Sequence, residues 1–310
     1  MPEYAFRPFT DNLEVSDRYR EEDYNDNYRE LWQLTTELSD TKTPHFENIS
    51  YWRMVRDHEY AKWLVSLGVK AAQLTIFGDE ATTDYFVGRK GAYKEMLQTI
   101  DILLENRIAP RIQTFIYKNN IDELPYIKNL IESLDLEKHC SDIGREFEFF
   151  LHQGSCDGEN EQFYDAWITP DDVDKIPQKL IDFTLKHSGK TNIMEVLGQT
   201  ERELYKELIV DTSTENIVTD EPVFYVDKDF NVYPNYETPS QYWCLGNLKT
   251  DGAEKILQTY LDNKSIAQNV MFTLPVCEIT KKCGNSESMR LFGKWDYRNY
   301  ILNKYCRALN

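Results

Sequence analysis

Apolar positions between residues 50 and 190 alternate between two rhythms. Ser50–Leu67 sets Trp52, Val55, Tyr60, Trp63, Leu64 and Leu67 at near-helical spacing, and Gly68 closes the run. Val69–Phe77 is a short apolar run, rich enough in Leu, Ile and Phe to be a buried strand, and is ended by Gly78. The pair then recurs. Lys90–Asn106 predicts a helix with Tyr93, Met96, Leu97, Ile100, Leu103 and Leu104 on one side, and Ala109–Lys118 a strand containing Ile112, Phe115 and Ile116. Asp122–Leu134 predicts a helix and Glu146–His152 a strand, followed by a turn at Gly154–Gly158. Helix and strand exchanging at a spacing of about 35 residues predict right-handed βα units on a parallel sheet, part of a (β/α) barrel.

Past residue 160 the rhythm loosens. Ile176–Ser188, Glu201–Ile209, Gly252–Leu261 and Asp296–Cys306 predict helices. Pro222–Tyr236 predicts a hairpin of two aromatic strands around an Asp227–Asp229 turn. Residues 1–30 are polar and aperiodic and read as a loop-rich lead-in. The expected organisation is an acidic N-terminal segment over 1–50, a partial barrel over 51–214 and a small α+β appendage over 215–310.

Composition narrows the field. Of 310 residues 41% are hydrophobic, enough for a substantial core, while only 13 are glycine, which argues against a Gly-rich dinucleotide-binding chain. A net charge of −18 repels a phosphate backbone, so nucleic acid is not an expected partner. No apolar run reaches membrane-spanning length and the acidic, aromatic N-terminus does not read as a signal peptide, so neither membrane nor export is expected. Six scattered cysteines fit free thiols or metal ligands in a reducing compartment, and the expected location is the cytoplasm.

Phosphate-loop, dinucleotide, zinc-protease and serine-hydrolase motifs are absent, as is any CxxC pair. Among the five isolated histidines only His152 ends a predicted strand, where a barrel places its working groups. Glu80, Glu148 and Asp157 also lie near predicted strand ends, and two facing carboxylates would permit glycoside hydrolysis or proton abstraction. With 53 acidic residues in the chain such coincidences arise readily, and most of these groups read as solvated surface carboxylates.

Two stretches carry a resemblance. GVKAAQLTIFGDEATTDYFVGRKGAY, continuing to NIDELPYI at Asn120–Ile127, resembles the middle of a radical SAM enzyme. VDKDFNVYPN, with Asn235 where a cysteine is usual, CLGNLKTDGAEKIL, and the pair Cys277 and Cys283 resemble that family's SPASM-like auxiliary-cluster region. The resemblance implies an incomplete parallel barrel of radical SAM type, binding S-adenosylmethionine and a [4Fe–4S] cluster and modifying a peptide or small metabolite. It implies cofactor contacts from Thr75 and Arg89, the latter to a methionyl carboxylate, with Gln113 and His152 as further barrel-mouth candidates. Cys244, Cys277, Cys283 and Cys306 become the candidate ligands of an auxiliary cluster or a zinc ion. Cys140 and Cys156 read as structural.

The family's CxxxCxxC triplet, which gathers three thiolates in one loop, is missing, and no cysteine precedes Cys140. This chain is therefore not expected to start radical chemistry alone. Three readings stay open: a piece whose opening strands come from another chain or were lost, a homologue that has shed catalysis and binds a peptide or partner, or a generic barrel. The first leaves a parallel-sheet edge exposed.

Overall fold

The apolar stretch before Gly78 folds as β1 (Ala71–Thr75), the first of three parallel strands with β2 (Ala109–Phe115) and β3 (Glu148–His152), in the order β1-β2-β3. The computed structural model describes residues 3–15, 26–40, 49–156, 158–234 and 240–309. Registers are Gln73 with Arg111, Thr75 with Gln113, Arg111 with Glu148 and Phe115 with His152. Helices Glu80–Val87 and Ala92–Glu105 connect β1 to β2, and Leu124–Ser133 and Leu136–Asp142 connect β2 to β3. The fold is thus a mixed α/β one built on parallel βα units, as the two rhythms predict.

Strand alternation divides the sheet into unlike faces. Ala72, Leu74, Ile112, Thr114, Phe149 and Leu151 occupy one face and are all buried. Each Leu, Ile and Phe there contributes about 1.5–3 kcal/mol by leaving water, as an upper bound. Helix Ala92–Glu105 packs on β2, and helix Gln178–Ser188 lies along β3. The other face carries Gln73, Thr75, Arg111, Gln113, Phe115, Glu148, Phe150 and His152.

The chain divides into two units. One contains residues 12–153 and 171–196, including the parallel sheet; the other contains 1–11, 154–170 and 197–310. They interleave in sequence, so a single cut near residue 215 does not separate them. In the second unit β5 (Phe224–Val226) and β6 (Asn231–Pro234) form the expected hairpin, extended antiparallel by β7 (Gly246–Asn247). The short strands β4 (Gln199–Thr200) and β8 (Leu291–Phe292) also pair. The hairpin closes because the Asp227 carboxylate accepts the N–H groups of Asp229 and Asn231. Its core of Val232, Leu245, Ile256 and Tyr260 is completed by Phe6 and Phe224.

Three expectations change. Ser50–Leu67 is two helices, Tyr51–Arg56 and Tyr60–Ser66, because Asp57 leaves helical geometry and its side chain accepts the Glu59 N–H to start the second. The apolar spacing survives the break, so periodicity alone does not show it. The lead-in read as loop contains a helix at Tyr28–Leu38, anchored where the Tyr28 ring packs edge-on to Tyr60 and Trp63. Helices Ile266–Thr273 and Val276–Cys283 had no sequence counterpart.

Candidate functional site

The polar face of the sheet is the place where unusual chemistry gathers. Arg111 Nη2 donates to Gln73 Oε1 at 3.0 Å, and Gln73 Nε2 donates in turn to Gln113 Oε1. Arg111 Nη1 lies 3.9 Å from Glu148 Oε2, which meets His187 Nδ1 at 2.9 Å. The His187 ring stacks on Phe150 with centroids 4.3 Å apart. A polar ladder therefore crosses all three strands, pairing Gln73 with both Arg111 and Gln113, while Arg111 Nε stays buried without a hydrogen-bond partner among the described residues.

Toward the C-terminal ends of the strands the face turns aromatic. Phe77 stacks between Phe86, at 4.7 Å, and Phe115, at 6.0 Å, and Phe115 meets His152 edge-on at 5.0 Å. Thr75 lies between ladder and rings, half-buried, with no hydrogen bond to its hydroxyl among the described residues. Parallel sheets bind ligands at this end, because the loops that follow the strands converge there.

Those loops are laced together by two residues of the NIDELPYI segment. Asn120, fully buried, donates from Nδ2 to the carbonyls of Phe77 and Phe115 at 2.8 Å each, and its Oδ1 accepts the Tyr117 N–H at 2.7 Å. Glu123 accepts from the Asp79 N–H at 2.7 Å and the Thr82 hydroxyl at 2.5 Å. Gly78 makes room for that carboxylate: a Cβ there would stand 2.0 Å from Glu123 Oε2.

Of the residues singled out in the sequence, Thr75, Gln113 and His152 share this face, and Thr75 and Gln113 are direct register partners. Gln113 points to the polar face while Ile112 points to the helices, but Phe115 accompanies Gln113; residues three apart on a strand cannot both face the helices. Arg89 stands apart, in the turn between two helices, held by the Glu95 carboxylate and lying 5.6 Å over the Tyr51 ring. The nearby helix start is filled too: Asp84 accepts the N–H groups of Gly91 and Tyr93 at 2.6 and 2.9 Å. These hydrogen bonds hold the Asp84 carboxyl below its ordinary pKa. The chain itself thus provides the carboxylates that the methionyl-carboxylate reading reserves for a ligand.

Glu80 and Glu148 do not face one another. Glu148 begins β3, whereas Glu80 follows β1 and pairs with Lys94 at 2.8 Å, so the two stand at opposite ends of a parallel sheet. Asp157 and Asn235 lie outside the described residues.

Nor are the cysteines a donor set. Cys244 is half-buried with its thiol 3.7 Å from the Gly246 carbonyl; Cys277 and Cys283 sit at the two ends of one helix, and Cys306 lies on the last helix. Burial pushes the Cys306 thiol up to about 12 and raises Cys283 as well, opposing the thiolate that a metal requires. Among the described residues no three His, Cys, Asp or Glu side chains are placed to hold a metal ion, and no helix is long and apolar enough to cross a membrane.

Sequence reasoning missed Arg111, His187, Phe77, Asn120 and Glu123 as members or supports of this face, and singled out Glu148 only as a strand-end carboxylate. The signal was present in the alternation of Gln73 and Thr75 with Ala72 and Leu74, and of Arg111, Gln113 and Phe115 with Ile112 and Thr114. A polar set at every second position of an apolar strand marks a face that is not packed under helices.

No family model matches this chain, and no curated protein does. Among solved structures, native anSMEcpe with bound AdoMet and the Cp18Cys peptide is similar with a TM-score of 0.44 and 14% identity, over 91% of this chain and 81% of that one. Native anSMEcpe with bound AdoMet gives a TM-score of 0.43 and 14% identity, over 91% and 80%. A likeness this distant decides neither family nor chemistry.

Proposed function

We propose that this chain is a radical SAM-like protein with an incomplete barrel and a SPASM-like appendage, which binds S-adenosylmethionine on the polar face of β1–β3 and does not generate radicals by itself. The observation that carries the proposal is that face: Thr75, Gln113 and the ring row Phe77, Phe115 and His152 at the C-terminal ends of parallel strands. The segments resembling the family supply both β1 and the Asn120–Glu123 rim.

The donor chemistry fits the nucleoside part of such a ligand. Planar rings favour stacking on a purine, and the Thr75 hydroxyl can exchange hydrogen bonds with a sugar. Bound S-adenosylmethionine supplies an electrophilic sulfonium next to that nucleoside. Arg89 is not a holder of its carboxylate in this reading, because Glu95 already neutralises it. A [4Fe–4S] cluster does not fit the residues present: among the described residues no three His, Cys, Asp or Glu side chains are gathered, and although Cys283 and Cys306 are electrostatic neighbours, Cys277 sits at the far end of its helix from Cys283. No step is assigned to a cluster, and the reading is one of binding without radical initiation.

Calorimetric titration with S-adenosylmethionine, S-adenosylhomocysteine and adenosine tests this. All three should bind, and Thr75→Val should weaken each by about fivefold or more, the worth of one hydrogen bond. Absence of binding by all three sinks the ligand assignment. An iron–sulfur chromophore after anaerobic reconstitution, lost in Cys277→Ala/Cys283→Ala, sinks the cluster-free half.

A further inference from the structure

We propose that the outer edge of β1 is the docking site for an extended segment of a second, basic polypeptide, which joins the sheet as a fourth strand. Two hydrogen bonds fix the phase of β1. The Lys70 carbonyl accepts from the Ala109 N–H at 2.9 Å, and the Ile76 N–H donates to the Gln113 carbonyl at 3.0 Å. In a parallel pair, alternate residues bond to the same neighbour, so Lys70, Ala72, Leu74 and Ile76 turn their backbone groups to β2. Ala71, Gln73 and Thr75 turn theirs away, and none of these outward groups has a backbone or side-chain partner among the described residues.

The opposite edge of the same sheet is treated differently. There the outward N–H of Leu151 donates to Thr184 Oγ1 at 3.0 Å, and helix Gln178–Ser188, which carries Thr184, runs along β3. Edge strands are ordinarily blunted by such a cover, or by proline, lysine or a bulge. The sequence Ala-Ala-Gln-Leu-Thr of β1 has none of these devices. Among the described residues one edge is closed by a dedicated hydrogen bond and the other carries no such cover, which is the arrangement a strand-accepting edge needs.

The neighbouring side chains say what would fit. On the helix-covered face an added strand would lie beside Ala72 and Leu74, and on the other beside Gln73 and Thr75. It therefore alternates apolar and small polar residues. Charge says what it belongs to. Two copies of a chain of net charge −18 repel one another, whereas a basic segment is drawn to it. The occupant is accordingly a different chain rather than a second copy.

Residue-resolved amide exchange on the full chain, with sedimentation alongside, tests the proposal. The probe is a capped nonapeptide of alternating valine and threonine with lysine at each end. The free chain should sediment as a monomer, with the amides of Ala71, Gln73 and Thr75 exchanging faster than those of Ala72 and Leu74. Adding the peptide should slow those three amides by about tenfold or more. The same peptide N-methylated at alternate residues should not do so, and Ala71→Pro, which deletes one outward donor at a strand start, should weaken binding. The proposal is overturned if the three amides are already protected in the monomer, if they are protected through a dimer, if the peptide binds without protecting them, or if no binding occurs below about 1 mM.

Discussion

Replacing Asn120 by alanine removes three hydrogen bonds at one buried point and measures how firmly the site rim is held. Its carboxamide bridges the carbonyls that follow β1 and β2, Phe77 and Phe115, and receives the Tyr117 N–H. Alanine is too short to reach any of them, and the residue is fully buried, so water does not take its place without opening the rim. A buried group left unpaired costs about 1–3 kcal/mol, and carbonyls with a second lone pair lie at the low end. Three such groups, partly relieved by relaxation, give about 3–4 kcal/mol. That is a large share of the roughly 5–15 kcal/mol by which domains are stable. Asn120→Asp separates geometry from charge: it keeps an acceptor for Tyr117 but sets a carboxylate oxygen against two carbonyl oxygens, and should cost at least as much as alanine at neutral pH. Urea unfolding read by amide exchange in β1 and β2 gives both values without assuming that the two units unfold together. A loss below about 0.5 kcal/mol for Asn120→Ala, the size of an ordinary surface substitution, would refute the claim that this side chain ties the strand ends together.

Gly78→Ala should destabilise the same rim by about 1–3 kcal/mol through overpacking against the Glu123 carboxylate. In the Gly78→Ala/Glu123→Ala double variant the two losses should fall short of their sum, because the clash is gone; strict additivity in urea unfolding would contradict the close approach. Asp84 is held below its ordinary pKa by the N–H groups of Tyr93 and Gly91, so its contribution is fully present above the unfolded carboxyl pKa and fades as pH falls through the lowered folded value. Asp84→Asn should flatten the decline in stability between about pH 5 and pH 2, and an unchanged acid limb would remove that role. Alkylation followed by mass spectrometry should label half-buried Cys244 first, with Cys283 and Cys306 reacting only on unfolding because burial raises their thiols. Early labelling of Cys306 would contradict its burial.

The βα rhythm was legible because each strand of the parallel sheet is a short segment with one apolar face between glycine-closed or polar turns, and because the connecting helices carry their apolar stripe on one side. β2, β3 and the helices Ala92–Glu105, Leu124–Ser133 and Gln178–Ser188 all lie within the stretches that the pattern predicts. What the pattern does not reach is contact between distant residues. His187, read as an isolated histidine, finds Glu148 across a separation in sequence that no local rule spans. Asp84 and Glu95 take up the N–H groups and guanidinium around Arg89, and nothing in the spacing of that segment announces that the chain supplies its own anions. The interleaving of the two units is equally invisible, since no glycine- or proline-rich linker separates residues 154–170 from 171–196, yet they belong to different units.

The segment that carries the family resemblance earns its geometry mainly as scaffold. Gly78, Asp79, Thr82, Asn120 and Glu123 bind one another, and their hydrogen-bonding atoms are directed into the rim rather than across the sheet. The groups available to a ligand, the Thr75 hydroxyl and the rings of Phe77, Phe115 and His152, sit on the strands that this rim holds in place. A chain can therefore keep the motif because the rim needs it, whether or not a cluster or cofactor is still bound. Resemblance in such residues argues for how the strand ends are held, and binding has to be argued from the face they present. That separation makes Asn120→Ala and Thr75→Val informative together. The first should lower stability with little direct effect on ligand contacts. The second should weaken nucleoside binding while leaving unfolding almost unchanged, since no hydrogen bond within the described chain depends on that hydroxyl. If instead Thr75→Val unfolded the protein and spared binding, the polar face would be packing surface, and the site would have to be sought elsewhere.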